Sequence, residues 1–198
     1  MIDAIVLAAG ESRRMGTPKP LLRFGHTTFL DQIVSVLRLS EVDRITVVLG
    51  AEAELIQRSI DLSGTDVVIN KDYPEGQLSS LIAGLRNAPP QTDAILVCLV
   101  DNPFITTAMV NRIVSRFEQT QSPIVVPIFM GRRGHPALFS KVLFAELLHA
   151  PAHEGARYVL HSNEDRVSEV ETPEEAVLIR IDTPDDYRAH FSMQSIGG

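Results

Sequence analysis

Apolar residues along this chain fall into two alternating kinds of run. The first kind is short and continuous and covers residues 2–8, 44–49, 66–70, 93–100 and 123–130. Stretches such as AIVLAA and AILVCLV lack the in–out alternation of a half-exposed strand, so they predict strands covered on both faces. The second kind repeats every three to four residues. Phe29, Leu30, Ile33, Val36 and Leu37 mark a helix over residues 26–39, and Leu78, Leu81, Ile82 and Leu85 mark another over 77–87. Residues 51–62 read as a helix, and Thr106 caps one running to about residue 119. Strands separated by helices of this length predict parallel βαβ units. The expected fold is therefore α/β, a three-layer α/β/α sandwich with a mostly parallel sheet.

Beyond residue 130 the pattern is less regular. The glycines at 131 and 134 suggest a tight turn or hairpin, residues 143–149 and 156–161 read as helices, 166–170 and 177–181 as strands, and 183–191 as a last helix. Residues 192–198, SMQSIGG, read as a frayed end. No repeat or linker divides the chain, so residues 1–198 are expected to form one domain. No stretch approaches the roughly 18 apolar residues of a membrane span. The first residues lack a basic leader and cleavage site, and a cytoplasmic protein is expected. Cys98, the single cysteine, sits inside AILVCLV and reads as core.

Charge changes the picture. The net charge of −7 argues against nucleic acid or an anionic membrane as partner. Yet Arg13, Arg14, Lys19 and Arg23 crowd between Gly10 and Gly25, opposed only by Glu11. In an open α/β sheet ligands bind at the carboxyl ends of the strands. Three unusual segments fall at such ends: residues 9–22, 70–80 and 101–103. The first reads AGESRRMGTPKPLL. Gly10 and Gly16 allow close backbone approach and positive φ, successive N–H groups can cradle phosphates, and Arg13, Arg14 and Lys19 can add charge-assisted hydrogen bonds. A Walker A loop has four residues between its glycines, followed by Lys and Ser or Thr. Here five separate Gly10 from Gly16 and Thr17 follows. A dinucleotide fingerprint needs glycine where Ser12 stands. A solvated surface loop is the plain alternative, although long loops in compact domains are often functional. Asp101, just after a buried strand, is placed to hold Mg²⁺, which prefers oxygen ligands and phosphate partners. A turn-capping carboxylate is the alternative. Asp182 in IRIDTPDDY has the same two readings, while Asp185 and Asp186 read as first-turn helix carboxylates.

The loop LAAGESRRMGTPKPLL resembles the signature L-A-A-G-x-S-x-R-M-G-x-x-K-x-L-L of the molybdenum cofactor nucleotidyltransferases, relatives of the sugar-nucleotide pyrophosphorylases. The resemblance extends over residues 2–187. It implies the Rossmann-like fold of the nucleotide-diphospho-sugar transferases. It also implies that Leu7, Ala8, Ala9, Gly10, Ser12, Arg13, Arg14, Met15, Gly16 and Lys19 hold a nucleoside triphosphate, with Arg14 and Lys19 on the phosphates. L-A-A-G rather than L-A-G-G at Ala9 leans towards CTP. The segment NKDYPEGQLSSL is similar to the family's N-x-x-x-x-x-G-x-x-x-S-L, which implies base contacts from Asn70, Gly76 and Ser80. D-N-P implies a Mg²⁺ ligand at Asp101, with Asp182 completing the metal site. RGHPALF resembles G-H-P-x-x-F, which implies that Gly134, His135 and Pro136 meet the acceptor, with Arg132 and Arg133 adding charge there. His26, His149, His153, His161 and His190 show no ligand spacing. The family often carries two acidic or amide residues just before the strand that leads to its D-T-P segment, whereas VLIRIDTP presents Arg180, a departure that bears on the second metal site.

The implied reaction is Mg²⁺-dependent nucleotidyl transfer, with Arg14, Lys19 and Asp101 as catalytic residues. A terminal phosphate of the acceptor, molybdopterin carrying its metal, would attack the α-phosphorus of CTP and release pyrophosphate. Two alternatives stay open. One is a transferase acting on a sugar or polyol phosphate. The other is a non-catalytic nucleotide- or pterin-binding protein that delivers cofactor to a molybdoenzyme or its chaperone.

Overall fold

A computed structural model describes residues 1–191; the frayed end expected at 192–198 lies outside the described residues. From the N-terminus, β1 (Ile2–Leu7) leads through a long loop into β2 (Arg23–Phe24), β3 (Thr27–Thr28) and α1 (Phe29–Arg38). There follow β4 (Arg44–Leu49), α2 (Ala53–Ser59), β5 (Asp66–Ile69), α3 (Gln77–Asn87), β6 (Ala94–Leu99) and α4 (Thr107–Thr120). The chain continues through β7 (Ile124–Phe129), β8 (Arg132–Arg133), β9 (Ala137–Ser140), α5 (Phe144–His149), α6 (Ala156–Ser162), β10 (Val167–Glu171) and α7 (Pro184–Phe191).

The main sheet has the order β10-β7-β9-β6-β1-β4-β5, with β8 paired to β7. Pairings β1–β4, β1–β6, β4–β5 and β7–β10 are parallel, and β9 runs antiparallel to both β6 and β7. Central β1 shows why its run is continuous. Ala4, Val6 and Ala8 pack into one apolar layer with α1 and α4. Ile5, Leu7 and Ala9 pack into the other with α3, α5 and α6. The molecule is thus the three-layer, mostly parallel α/β/α sandwich that the pattern predicts. No helix among the described residues is long and apolar enough to cross a membrane.

The structure also departs from expectation in places, α2 for instance spanning Ala53–Ser59 rather than 51–62. Helix α1 begins at Phe29 rather than residue 26, because Gly25 turns with φ +59° and lets Arg23 pair with Thr28. Thr28 then caps the helix, its hydroxyl accepting from the Asp31 N–H at 3.2 Å. Residues 137–140, read as irregular, form β9. The turn near Gly131 is centred on Met130 and Gly131, both at positive φ as a two-residue hairpin requires. Residues 177–181 are not a strand. Residues 175–178 form a 3₁₀ turn, and the stretch crosses the end of the sheet on single hydrogen bonds, His135 N–H to Val177 O and Ile181 N–H to Asp101 O, each 2.8 Å. Val177 and Ile181 are apolar because they are buried there, not because they belong to a ladder.

At the amino ends of the strands lies a buried charge cluster. Asp3 on β1 is fully buried and accepts hydrogen bonds from Arg44 and from Thr46 Oγ1 on β4. Arg44 also donates to Asp66 on β5 at 2.7 Å.

Candidate active site

The opposite, carboxyl ends of β1 and β6 open into a cavity of about 310 Å³. Leu7 at the end of β1 and Ala9, Gly10, Ser12, Arg13, Arg14 and Lys19 of the first loop line it. Tyr73, Gly76, Gln77 and Ser80 line it from the segment before and within α3, and Asp101 and Asp182 from the far side. The three sequence segments at strand ends therefore do meet in one crevice.

The first loop is organised by Ser12. Its carbonyl accepts from Met15 and Gly16, and its Oγ accepts from the Lys19 N–H at 2.9 Å. Ser12 itself takes the positive φ, +54°, that the sequence suggests for Gly10; Gly16 does have φ +71°. Gly10 instead faces open space, where an added Cβ would meet nothing within 4 Å. Three residues of this stretch expected at the nucleotide, Ala8, Met15 and Gly16, do not line the cavity. Ala8 points to the opposite face of β1, and Met15 packs against the core. Gly16 acts through its turn.

Lys19 is the centre of the charged cluster. Its side chain is only 13% exposed. The ammonium donates to Asp182 Oδ1 at 2.6 Å and Asp101 Oδ2 at 3.5 Å. Arg14 reaches Asp182 Oδ1 at 3.4 Å, and Arg180 donates to Asp101 Oδ2 at 2.7 Å. Burial works to raise the Asp182 carboxyl, but Lys19, Arg180 and Arg14 together hold it below the usual carboxylate range. Asp101 Oδ1 is buried and has no hydrogen-bond partner among the described residues.

Asp182 comes to the same cavity and the same Lys19 ammonium as Asp101 because of the preceding crossing segment. Asn102 Nδ2 donates to Ala176 O at 3.1 Å, and Asp101 O accepts from Ile181. Asp186 then ends the segment by accepting from the N–H groups of Asp182 and Thr183, while Thr183 Oγ1 accepts from the Asp186 N–H. This is a reciprocal cap of α7.

Of the residues expected at the base in the second segment, Gly76 and Ser80 line the cavity and Asn70 does not. Asn70 is buried, and its amide donates to Ser79 Oγ at 2.9 Å and Ser80 Oγ at 3.1 Å while its Oδ1 accepts from Asp72 N–H. It ties the segment together rather than facing the cavity. Tyr73 and Gln77, which the sequence reading passed over, do face it.

A second cavity of about 580 Å³ adjoins the first and shares Leu7, Gln77 and Leu99 with it. Gly134 and His135 line it, and Pro136 does not. Gly134 is required by space, since a Cβ there would lie 2.4 Å from Val177 O. His135 Nδ1 is buried and without a partner among the described residues. Burial lowers its pKa, the nearby Arg180 charge lowers it further, and Asp101 opposes. His153 and His161, dismissed on their spacing, also line this cavity, as do Arg157 and Arg180. Arg157 and His161 stand four apart on α6 and therefore share a face, a spacing visible in the sequence.

A family model described as the MobA-like NTP transferase domain matches residues 4–167. The chain belongs to the MobA-like NTP transferase family. Molybdenum cofactor cytidylyltransferase of Escherichia coli (strain K12) is 31% identical over 187 residues, 94% of this chain and 93% of that one. Nicotine blue oxidoreductase of Paenarthrobacter nicotinovorans is 27% identical over 92% of both chains, so sequence similarity at this level does not by itself fix a reaction. The crystal structure of Rv0371c from Mycobacterium tuberculosis H37Rv superposes with a TM-score of 0.87 at 34% identity, covering 96% of this chain and 97% of that one. A manganese complex of Rv0371c superposes with a TM-score of 0.82 at 31% identity, covering 96% and 98%.

Proposed function

We propose that this MobA-like protein is a Mg²⁺-dependent nucleotidyltransferase that moves CMP from CTP to the terminal phosphate of molybdenum-loaded molybdopterin. The observation that carries the reading is the convergence of Arg14, Lys19, Asp101 and Asp182 on one cavity behind the first loop. Fixed cations beside paired carboxylates suit a triphosphate that arrives with a divalent ion. The ion fits this donor set. No group of three or more His, Cys, Asp or Glu side chains is placed to hold a metal among the described residues, but Mg²⁺ commonly takes one or two carboxylates and completes its shell with substrate phosphates and water. The unpartnered Asp101 Oδ1 is a ready ligand atom, and Asp182 would be the second. Manganese in the Rv0371c complex supports the same reading.

The chemistry asks for alignment and charge neutralisation more than for a base, since a phosphate monoester is already nucleophilic. An acceptor oxygen bonds to the α-phosphorus while the bond to the bridging oxygen breaks, and pyrophosphate leaves with the electron pair. Lys19 and Arg14 would stabilise the leaving pyrophosphate. Asp101 and Asp182 would hold Mg²⁺, which supplies polarisation of the phosphate oxygens when bound. Gly76, Ser80, Tyr73 and Gln77 would border the base. Ala9 and the 31% identity to a named cytidylyltransferase support CTP. The larger cavity would take the acceptor.

Pyrophosphate release is the test, with CTP, GTP, ATP or UTP and Mg²⁺, with and without molybdenum-loaded molybdopterin. Release with CTP only when the pterin is present is expected. Release with CTP and a sugar or polyol phosphate instead would reassign the acceptor. Nucleotide binding without release from any acceptor would favour a delivery role.

A further inference from the structure

Arg180 stands where the two cavities meet. It lines the larger one, while its partner Asp101 lines the smaller. One guanidinium N–H is engaged by Asp101 Oδ2, and a guanidinium carries five. The side chain is 43% exposed, so the remaining donors can turn towards the cavity.

The larger cavity has two chemically distinct parts. Leu81, Val97 and Phe139 contribute to an apolar floor. The rim carries Arg133, Arg157, Arg180 and three histidines, with Glu154 as its one acid. Arg133 is already matched by Glu164 and Glu169, each at 2.7 Å or just beyond. Arg157 forms no ion pair among the described residues. Arg157 and Arg180 both act on the half-buried His135, whose buried Nδ1 has no partner there. Positive charge, matched only where Arg180 meets Asp101, therefore gathers around His135. A ligand suited to this shape has an apolar or aromatic body and an anionic end.

We infer that Arg180 receives the terminal phosphate of the acceptor, and that Asp101 holds it ready at the junction of the two cavities. The inference rests on the nucleotidyl-transfer reading, because that reaction needs the acceptor oxygen beside the α-phosphorus. Nucleophile and phosphorus must come within about 3–3.5 Å before reaction. A cation hydrogen-bonded to the carboxylate proposed to serve the nucleotide is placed to make that approach. An arginine also offers a phosphate two parallel donors, which a lysine cannot. The substrate class that follows is a phosphomonoester with a ring-sized apolar body.

Equilibrium binding to the full chain tests this with two probe pairs: molybdopterin and its dephosphorylated form, and glycerol 3-phosphate and glycerol. The variants are Arg180→Gln and Arg180→Lys. Wild type is expected to bind a phosphorylated probe more tightly than its dephosphorylated partner. Arg180→Gln should lose about 10- to 100-fold of the affinity for that phosphorylated probe and none for the other. Arg180→Lys should recover part of the loss, and the circular dichroism spectrum of both variants should match that of wild type, which shows that the fold persists. An Arg180→Gln variant that binds the phosphorylated probe like wild type overturns the inference. So does a wild type with no preference for either phosphorylated probe. Preference for glycerol 3-phosphate alone, lost in Arg180→Gln, would keep Arg180 in this role and overturn molybdopterin as the acceptor.

Discussion

Lys19 joins two carboxylates, Asp101 and Asp182, that would repel each other without a cation between them. Two opposite consequences follow from removing it. Lys19→Ala should weaken CTP binding by about 10- to 100-fold through loss of a charge-assisted contact. The same variant should bind Mn²⁺ more tightly in the absence of nucleotide, because the carboxylates lose their resident counter-charge. Titration calorimetry with each ligand separately checks both. Unchanged CTP affinity would remove Lys19 from the site. Asp101→Asn keeps the shape of the side chain and removes its charge. Turnover should fall about 10²- to 10³-fold or more, with the circular dichroism spectrum unchanged. Full activity in that variant would remove Asp101 from the metal.

At the scale of elements, the crossing segment from Glu175 to Asp182 determines whether the site is assembled. It brings Asp182 to Lys19 and Arg180 to Asp101, and it rests on Gly134. In Gly134→Ala the new Cβ would press on the Val177 carbonyl, so the segment must move. Overpacking of this kind costs about 1–3 kcal/mol. A lower Tm together with weaker CTP binding is expected. A lower Tm with unchanged CTP affinity would show that the segment can shift without carrying Asp182 with it. The same segment marks the limit of what the sequence discloses. Strands buried on both faces announced themselves as continuous apolar runs, and the first loop announced by its charge and spacing that it borders a crevice at the strand ends. The crossing segment also has an apolar pattern, yet its Val177 and Ile181 bury against a sheet end, which periodicity alone does not distinguish from a strand. Asn70 shows the converse. Its position in the motif points to the base, but its amide is spent on Ser79 and Ser80, a partnership only the fold reveals. Strand β9 was hidden because four residues beside a Pro-containing turn carry too short a pattern.

For the whole molecule, the sheet keeps its chemistry and one of its costly polar clusters at opposite ends. Asp3 is fully buried at the amino ends, and Arg44 bridges it to Asp66 across β4 and β5. Removing one partner of a buried pair typically costs about 3–5 kcal/mol. Arg44 is 19% exposed and Thr46 Oγ1 still donates to Asp3, so Arg44→Met should cost about 2–3 kcal/mol at neutral pH. The pH dependence has a definite sign. Burial, the dominant influence, raises the Asp3 carboxyl above its usual range, while Arg44 and Thr46 pull it back. A raised folded-state pKa means that the folded protein holds this proton more tightly than the unfolded chain. The associated stability is present below the unfolded value of roughly 4 and is lost as pH rises through the folded value. Without Arg44 that folded value climbs further, so the variant is penalised most where Asp3 must be charged. Urea unfolding should therefore show a large difference from wild type at pH 7 that narrows as the pH approaches 4. CTP affinity at pH 7 should be unchanged, because the cavity proposed to take the nucleotide lies at the other end of β1. Equal destabilisation at both pH values would assign the loss to packing of the arginine stem instead of the Asp3 charge. A matching loss of CTP affinity would show that strain at the amino ends reaches the first loop through β1 and β4.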